Sequence, residues 1–239
     1  MSVLYSVADG VATLTLNRPE SRNALNLDMC SRLIDLSLES SSNPAIKLVL
    51  VRANGPVFCA GADLKERQGM SEAQVRERRM QGFAAYAALE ALPMPAIAVV
   101  HGAAVGSGCE IACACDFIVA TPQASFGTPE ALRGTVGATQ RLPRILGKRL
   151  AKDLMFTGRT LAAEEAREAG LVSRLVPAID LEKIIEEIKT AILNAPASSL
   201  KLAKRCIDRG VELDPKGALE AEIAAIEEQL AGGNWMGKK

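Results

Sequence analysis

The sequence predicts a layered α/β fold followed by a helical C-terminal region. Short β-rich runs alternate with segments of helical period through the first half of the chain. Two of these runs, Ala96 to Gly102 and the "DFIVAT" beginning at Asp116, are almost wholly apolar, as strands covered on both faces are. Past about Arg144 helical periodicity takes over.

The elements follow in order. "YSVADGVATLTLN" reads as a hairpin turning near Asp9-Gly10, because those residue types tolerate positive φ. A helix is expected from about Leu27 to Ser40, with Leu33, Ile34 and Leu38 near one face. "KLVLVRA", Lys47 to Ala53, is a strand closed by Asn54-Gly55, and "PVFCAGADLKE" is a glycine-bearing turn leading into a helix-like segment. "SEAQ" is a capping pattern that opens a long helix from Ser71 to Leu92, ended by Pro93 and Pro95. "GAAVGSGCEIACACD" places a glycine turn between a buried strand and a helix start. Helical segments then follow in "KRLAKDLMFTG", "AAEEAREAG", Leu181–Asn194, Ser198–Arg209 and Gly217–Ala231.

Composition sets limits on function. The chain has 239 residues, 49% of them apolar, so it can bury a substantial core. Its 28 basic and 28 acidic side chains balance, which removes the electrostatic footprint of a dedicated nucleic-acid binder. The opening residues lack the basic region and apolar core of a secretory signal, and no apolar run approaches membrane-spanning length, so a cytoplasmic location without membrane attachment is expected. Cys109, Cys113 and Cys115 cluster without paired CxxC spacing or a second ligand group. They are read as buried thiols in a reducing compartment, and no metal site is expected.

Three segments can carry chemistry. Gly102, Gly106 and Gly108 precede a helix start, an arrangement that aims backbone N–H groups at an anion. Glu110 falls in the first turn of that helix. A solvated glutamate there would simply complement the helix dipole, but apolar neighbours on both sides favour a buried or cleft position, where its pKa would rise. In "PVFCAGADLKE" Asp63 can act as an N-cap, and a second such turn facing it would supply converging donors for an oxyanion. Glu130 follows Pro129 at a helix start, where its plain role is that of a helix-end charge.

Taken together, "TLNRPESRNALN", "FCAGADLKE", "GAAVGSGCEIACACDFIVAT", "SFGTPE" and "TQRLPRILGKRLAKDLMFTGRTLAAEEAREAGLVSRLVP" resemble, in order and spacing, the crotonase or enoyl-CoA hydratase/isomerase superfamily. The resemblance implies a crotonase-like α/β spiral of ββα units with a helical C-terminal trimerisation region. Residues 1–177 would form the core with the thioester site, and residues 178–239 the helical region. It implies an acyl-CoA thioester partner, with coenzyme A as part of the substrate and no separate cofactor, and a homotrimer or dimer of trimers (a hexamer). By position, the amides of Ala62 and Ser107 would form the oxyanion hole, and Glu110 and Glu130 the acid–base pair. Ser21, Arg22, Ala24, Ala60, Asp63 and Leu64 would bind the coenzyme A moiety, and Gly137 would lie in the loop that helps place water.

The expected activity is that of a lyase in fatty acid metabolism: hydration of a 2-enoyl-CoA to a 3-hydroxyacyl-CoA. Glu110 would be the base toward water and Glu130 the acid toward Cα, with the reverse assignment open. The alternatives are Δ3,Δ2-enoyl-CoA isomerisation through Glu130, and a non-catalytic trimeric scaffold or RNA-binding relative. Two departures from the family pattern stand out. "TVGATQR" is shorter than the corresponding hydratase loop, and the end of the chain lacks the usual terminal segment.

Overall fold

In the computed structural model, which describes residues 1–233, Asp9 and Gly10 take φ of 50° and 80°. That turn pairs β1 (Val3–Ala8) antiparallel with β2 (Val11–Leu16), as the sequence predicts. Helix α1 (Leu27–Ser42) begins at Asn26, whose side chain accepts from the Met29 N–H. Its buried face carries Met29, Cys30, Leu33 and Leu36, whereas Leu38 is 60% exposed. Of the expected group, Leu33 is buried and Ile34 packs partly against the same core, but Leu38 is corrected, because Leu36, at i+3, takes the core face beside Leu33 and Leu38 has rotated away from it.

β3 (Leu48–Ala53) runs parallel to β2. Residues 64–69 after the first glycine turn are a series of turns, not the helix-like start expected there. The helix waits for a true cap: α2 (Glu72–Glu90) opens with Ser71 and Gln74 bonded reciprocally, side chain to backbone. β4 (Ala96–Val100) is buried throughout. The stretch between Gly102 and Gly106, read as part of a turn, is instead a short strand, β5 (Ala103–Val105). It leads into α3 (Ser107–Cys113) and β6 (Phe117–Ala120).

β7 (Ser125–Gly127) precedes α4 (Arg141–Thr157), which breaks at Gly147 with φ of 75°. Two short strands flank α5 (Ala163–Glu168): β8 (Leu161–Ala162) and β9 (Arg174–Leu175). The division into strands first and helices last is thus not complete, because two-residue strands carry no periodic signal. α6 (Leu181–Asn194), α7 (Ala197–Gly210) and α8 (Pro215–Ala231) close the described chain. Among the described residues no helix is long and apolar enough to cross a membrane.

The strands form two sheets, ordered β1-β2-β3-β4-β6-β9 and β5-β7-β8. One face of the larger sheet joins the smaller sheet and α1 to α3 in the main core, around Leu14, Val49, Ala98, Phe58 and Phe126. Its other face buries Leu48, Leu50, Ile97, Val99 and Val119 with Ile185 and Ile188 of α6. Cover on both faces explains the uninterrupted apolar runs of the central strands. Two isolated bridges fix the first glycine turn: Leu25 with Ala62 ties it to the segment entering α1, and Cys59 with Ala104 ties it to β5, the entry to the second turn.

Candidate active site

The site is built where those two turns meet. Gly106 caps the start of α3 with φ of 53°, and a Cβ added there would lie 2.5 Å from Glu130 Oε1. Glycine therefore serves both the backbone conformation and the approach of the carboxylate. Gly108 lets the same helix start pack on the first turn, since a Cβ there would fall 2.3 Å from the Cys59 carbonyl oxygen. A cavity of about 280 Å³ opens between them, with Ala62, Ser107, Glu110, Glu130 and Gly137 all on its wall.

Both expected oxyanion-hole amides lie on that wall, and neither the Ala62 nor the Ser107 N–H donates to an acceptor among the described residues. Glu110 is 6% exposed, which settles its position as buried and not at a solvated helix end. Its nearby sequence offers no basic partner, but the fold brings one: Arg141 Nη1 donates to Glu110 Oε2 at 2.9 Å, while Nη2 donates to Glu90 at 2.6 Å. Desolvation pushes the Glu110 pKa above the ordinary carboxylate range, and Arg141 opposes that rise.

Glu130 sits at the start of a single 3-10 turn, Ala131–Arg133. Its Oε2 is shut from solvent and has no hydrogen-bond partner among the described residues. Desolvation raises its pKa too, and the charge of Glu110 adds to the rise. The two glutamates thus differ in one respect: Glu110 is held by a guanidinium and Glu130 is free to meet a ligand. Gly137 lies against this second carboxylate, where an added Cβ would stand 3.1 Å from Glu130 Cγ.

The proposed coenzyme A positions divide into two groups. Ala60 and Leu64 line the cavity, whereas Ser21, Arg22 and Ala24 lie outside it. Arg22, with φ of 53°, is exposed, and its carbonyl accepts from the Ala60 N–H at 3.0 Å. Asp63 is mostly buried and engaged: it accepts from Arg18 at 3.0 Å and from the N–H groups of Lys65 and Glu66. It ties the two motif segments together, a role the sequence left between cap and ligand contact.

Other residues of the site had no assigned part. Arg141 was visible only as the last letter of a "TQR" motif. Phe83 and Tyr86 form one wall from α2, with Arg67, Arg78, Arg79 and Arg133 around them. Arg79 donates to Thr135 Oγ1 at 2.7 Å and to the Val136 carbonyl, pinning the shortened loop to α2. No local pattern could have marked these groups, because their partners lie far along the chain.

Comparison with known proteins identifies the family. The enoyl-CoA hydratase/isomerase family model matches residues 6–232. YngF of Bacillus subtilis is 40% identical over 234 residues, covering 96% of this chain and 90% of that protein. The short-chain-enoyl-CoA hydratase of Clostridium acetobutylicum is 37% identical over 232 residues, covering 95% and 88% respectively. Among solved structures, an enoyl-CoA hydratase from Bacillus anthracis superposes with a TM-score of 0.91 at 36% identity, over 95% of this chain and 90% of that one. The chain belongs to the enoyl-CoA hydratase/isomerase family, and its fold is the crotonase-like α/β fold with a helical C-terminal region.

Proposed function

We propose that the protein hydrates a short 2-enoyl-CoA to the 3-hydroxyacyl-CoA. The observation that carries this reading is the pair of glutamates, buried Glu110 and half-buried Glu130, on one cavity wall with two unbonded amides. Addition of water develops enolate charge on the thioester oxygen, and the N–H groups of Ala62 and Ser107 would stabilise it by about 3 kcal/mol per donor. Glu110, held toward its ionised form by Arg141, takes a proton from water as its oxygen adds to C3. Glu130, whose pKa is raised by desolvation and by the charge of Glu110, delivers a proton to C2. The coenzyme A moiety would run outward past Leu64 and Ala60 toward Ala24, Arg22 and Ser21.

A second reading has its own observation. Arg141 compensates the buried charge of Glu110, so that carboxylate can be structural, leaving Glu130 as the single proton carrier of a Δ3,Δ2-enoyl-CoA isomerase. The test is to incubate the protein with a panel of 2-enoyl and 3-enoyl thioesters and follow the products by mass spectrometry. Gain of one water by a 2-enoyl ester is expected. Bond migration without hydration would assign the isomerase, and binding of the esters without turnover would leave a scaffold.

A further inference from the structure

The wall of the acyl cavity is unexpectedly cationic. Arg67, Arg78, Arg79 and Arg133 line it against only two carboxylates, Glu110 and Glu130. Of these carboxylates Glu110 is already paired with Arg141. Arg78 is engaged too, by Glu66 at 3.0 Å and by the Leu25 carbonyl, and Arg79 holds the loop at Thr135 and Val136 through neutral acceptors. Arg67 is different. Its side chain makes no hydrogen bond to a described residue, and its Nε is closed off from solvent. Burial and the nearby charges of Arg78 and Arg79 push its pKa down, so its surroundings disfavour the charge it carries.

An enoyl chain ending in a methyl group would bring only hydrocarbon to this wall and leave the Arg67 guanidinium without a partner. A carboxylate would satisfy it, because it accepts charge-assisted hydrogen bonds from planar guanidinium donors. Such a carboxylate must lie away from C2 and C3, where Glu110 and Glu130 would repel it. The cavity of about 280 Å³ suits a short acyl chain. The residues assigned to the nucleotide end, Ser21, Arg22 and Ala24, lie outside the cavity, while Ala60 and Leu64, along the path given to coenzyme A, share its wall with Arg67.

We propose that Arg67, supported by Arg79, forms an anion-binding subsite in the acyl cavity. The preferred substrate is then a short 2-enoyl thioester with a second carboxylate at the far end of its acyl chain. This rests on the hydratase reading for turnover, but the subsite itself can be tested by binding alone.

The experiment compares 4-carboxybut-2-enoyl-CoA with its apolar isostere, 5-methylhex-2-enoyl-CoA, in the full-length protein. The ratio of kcat/KM, carboxylate over isostere, is expected to exceed about tenfold, the size of one charge-assisted hydrogen bond. In Arg67→Met that ratio should fall by about tenfold or more, and Arg67→Lys should restore part of it. Because both esters share the coenzyme A moiety, an Arg67 that merely contacts the nucleotide would depress both equally and leave the ratio unchanged. That result, or a wild-type ratio near unity, overturns the subsite. Isothermal titration with the saturated esters, 4-carboxybutanoyl-CoA and 5-methylhexanoyl-CoA, measures the same ratio without chemistry. If neither enoyl ester gains water, the hydratase reading fails, and the ratio of saturated-ester affinities in wild type and Arg67→Met decides the subsite by itself.

Discussion

Glu130 keeps one buried carboxylate oxygen without a donor, while Glu110, in the same cavity, is held by Arg141. In the proposed hydration each residue carries one half of the proton traffic, so Glu110→Gln and Glu130→Gln should each lower kcat/KM for hydration by ~10²–10⁴-fold. In the isomerase reading Glu130→Gln would be severe and Glu110→Gln mild, and assaying both reactions in both variants separates the two. The pH profile carries a second check. Glu110 must be ionised to act as base, and removing the Arg141 charge lets its pKa rise further. The acid limb of kcat/KM in Arg141→Met should therefore move upward, by about one pH unit for loss of a neighbouring opposite charge. Stability should respond in the opposite sense to activity. The folded-state pKa of Glu130 is raised above its unfolded value, so its contribution is most favourable below the unfolded value and is lost as pH rises through the folded one. At pH 7 the wild type thus pays for a buried charge that Glu130→Gln lacks. The variant should melt higher by about 2–4 °C for a gain of about 1 kcal/mol, an advantage that shrinks on acidification in a thermal scan.

At the scale of elements, the site depends on how α3 starts. The glycines before it were legible as a turn aimed at an anion, and Glu110 as its first-turn acid. Strand β5, which seats that turn on the smaller sheet, was not legible, because a three-residue Ala-Ala-Val run has no period to read. Gly108 shows what the packing demands: an added Cβ would fall 2.3 Å from the Cys59 carbonyl oxygen, a backbone atom that cannot rotate away. Gly108→Ala should lower stability by about 1–3 kcal/mol in urea titration and depress hydration as well, since displacing the helix start moves the Ser107 amide. α2 offers a contrast. Its cap was plain from "SEAQ", yet its contribution to the cavity, Phe83 and Tyr86 with Arg78 and Arg79, emerges only from the face it turns toward α3.

Across the whole molecule, the two sheets are well covered, but α7 and α8 pack chiefly on one another and bury only Ala225 of their residues. They leave Ile207, Val211, Leu219, Ile223, Ile226 and Leu230 exposed at 46–77%. Exposed apolar side chains in such number on two adjacent helices fit an interaction surface. A homotrimer or dimer of trimers would cover it, consistent with the helical region expected to trimerise. Light scattering at micromolar concentration should report a mass of three or six chains, and a monomeric mass would reject the assembly.

The sequence by itself determined the fold class, the hairpin turn, the cap of α2 and the residue types of the two glycine turns. These are local matters, set by periodicity, allowed φ and the hydrogen-bonding reach of neighbouring residues. The motifs also placed Glu110 and Glu130 as candidates. Tertiary structure decided what surrounds them: that both open on one cavity, that Arg141 pairs with only one of them, and that Arg67 lines the same cavity. Those outcomes depend on contacts between residues distant in the chain. Burial and charge pairing, which set the chemistry of a carboxylate or guanidinium, arise only when the elements pack.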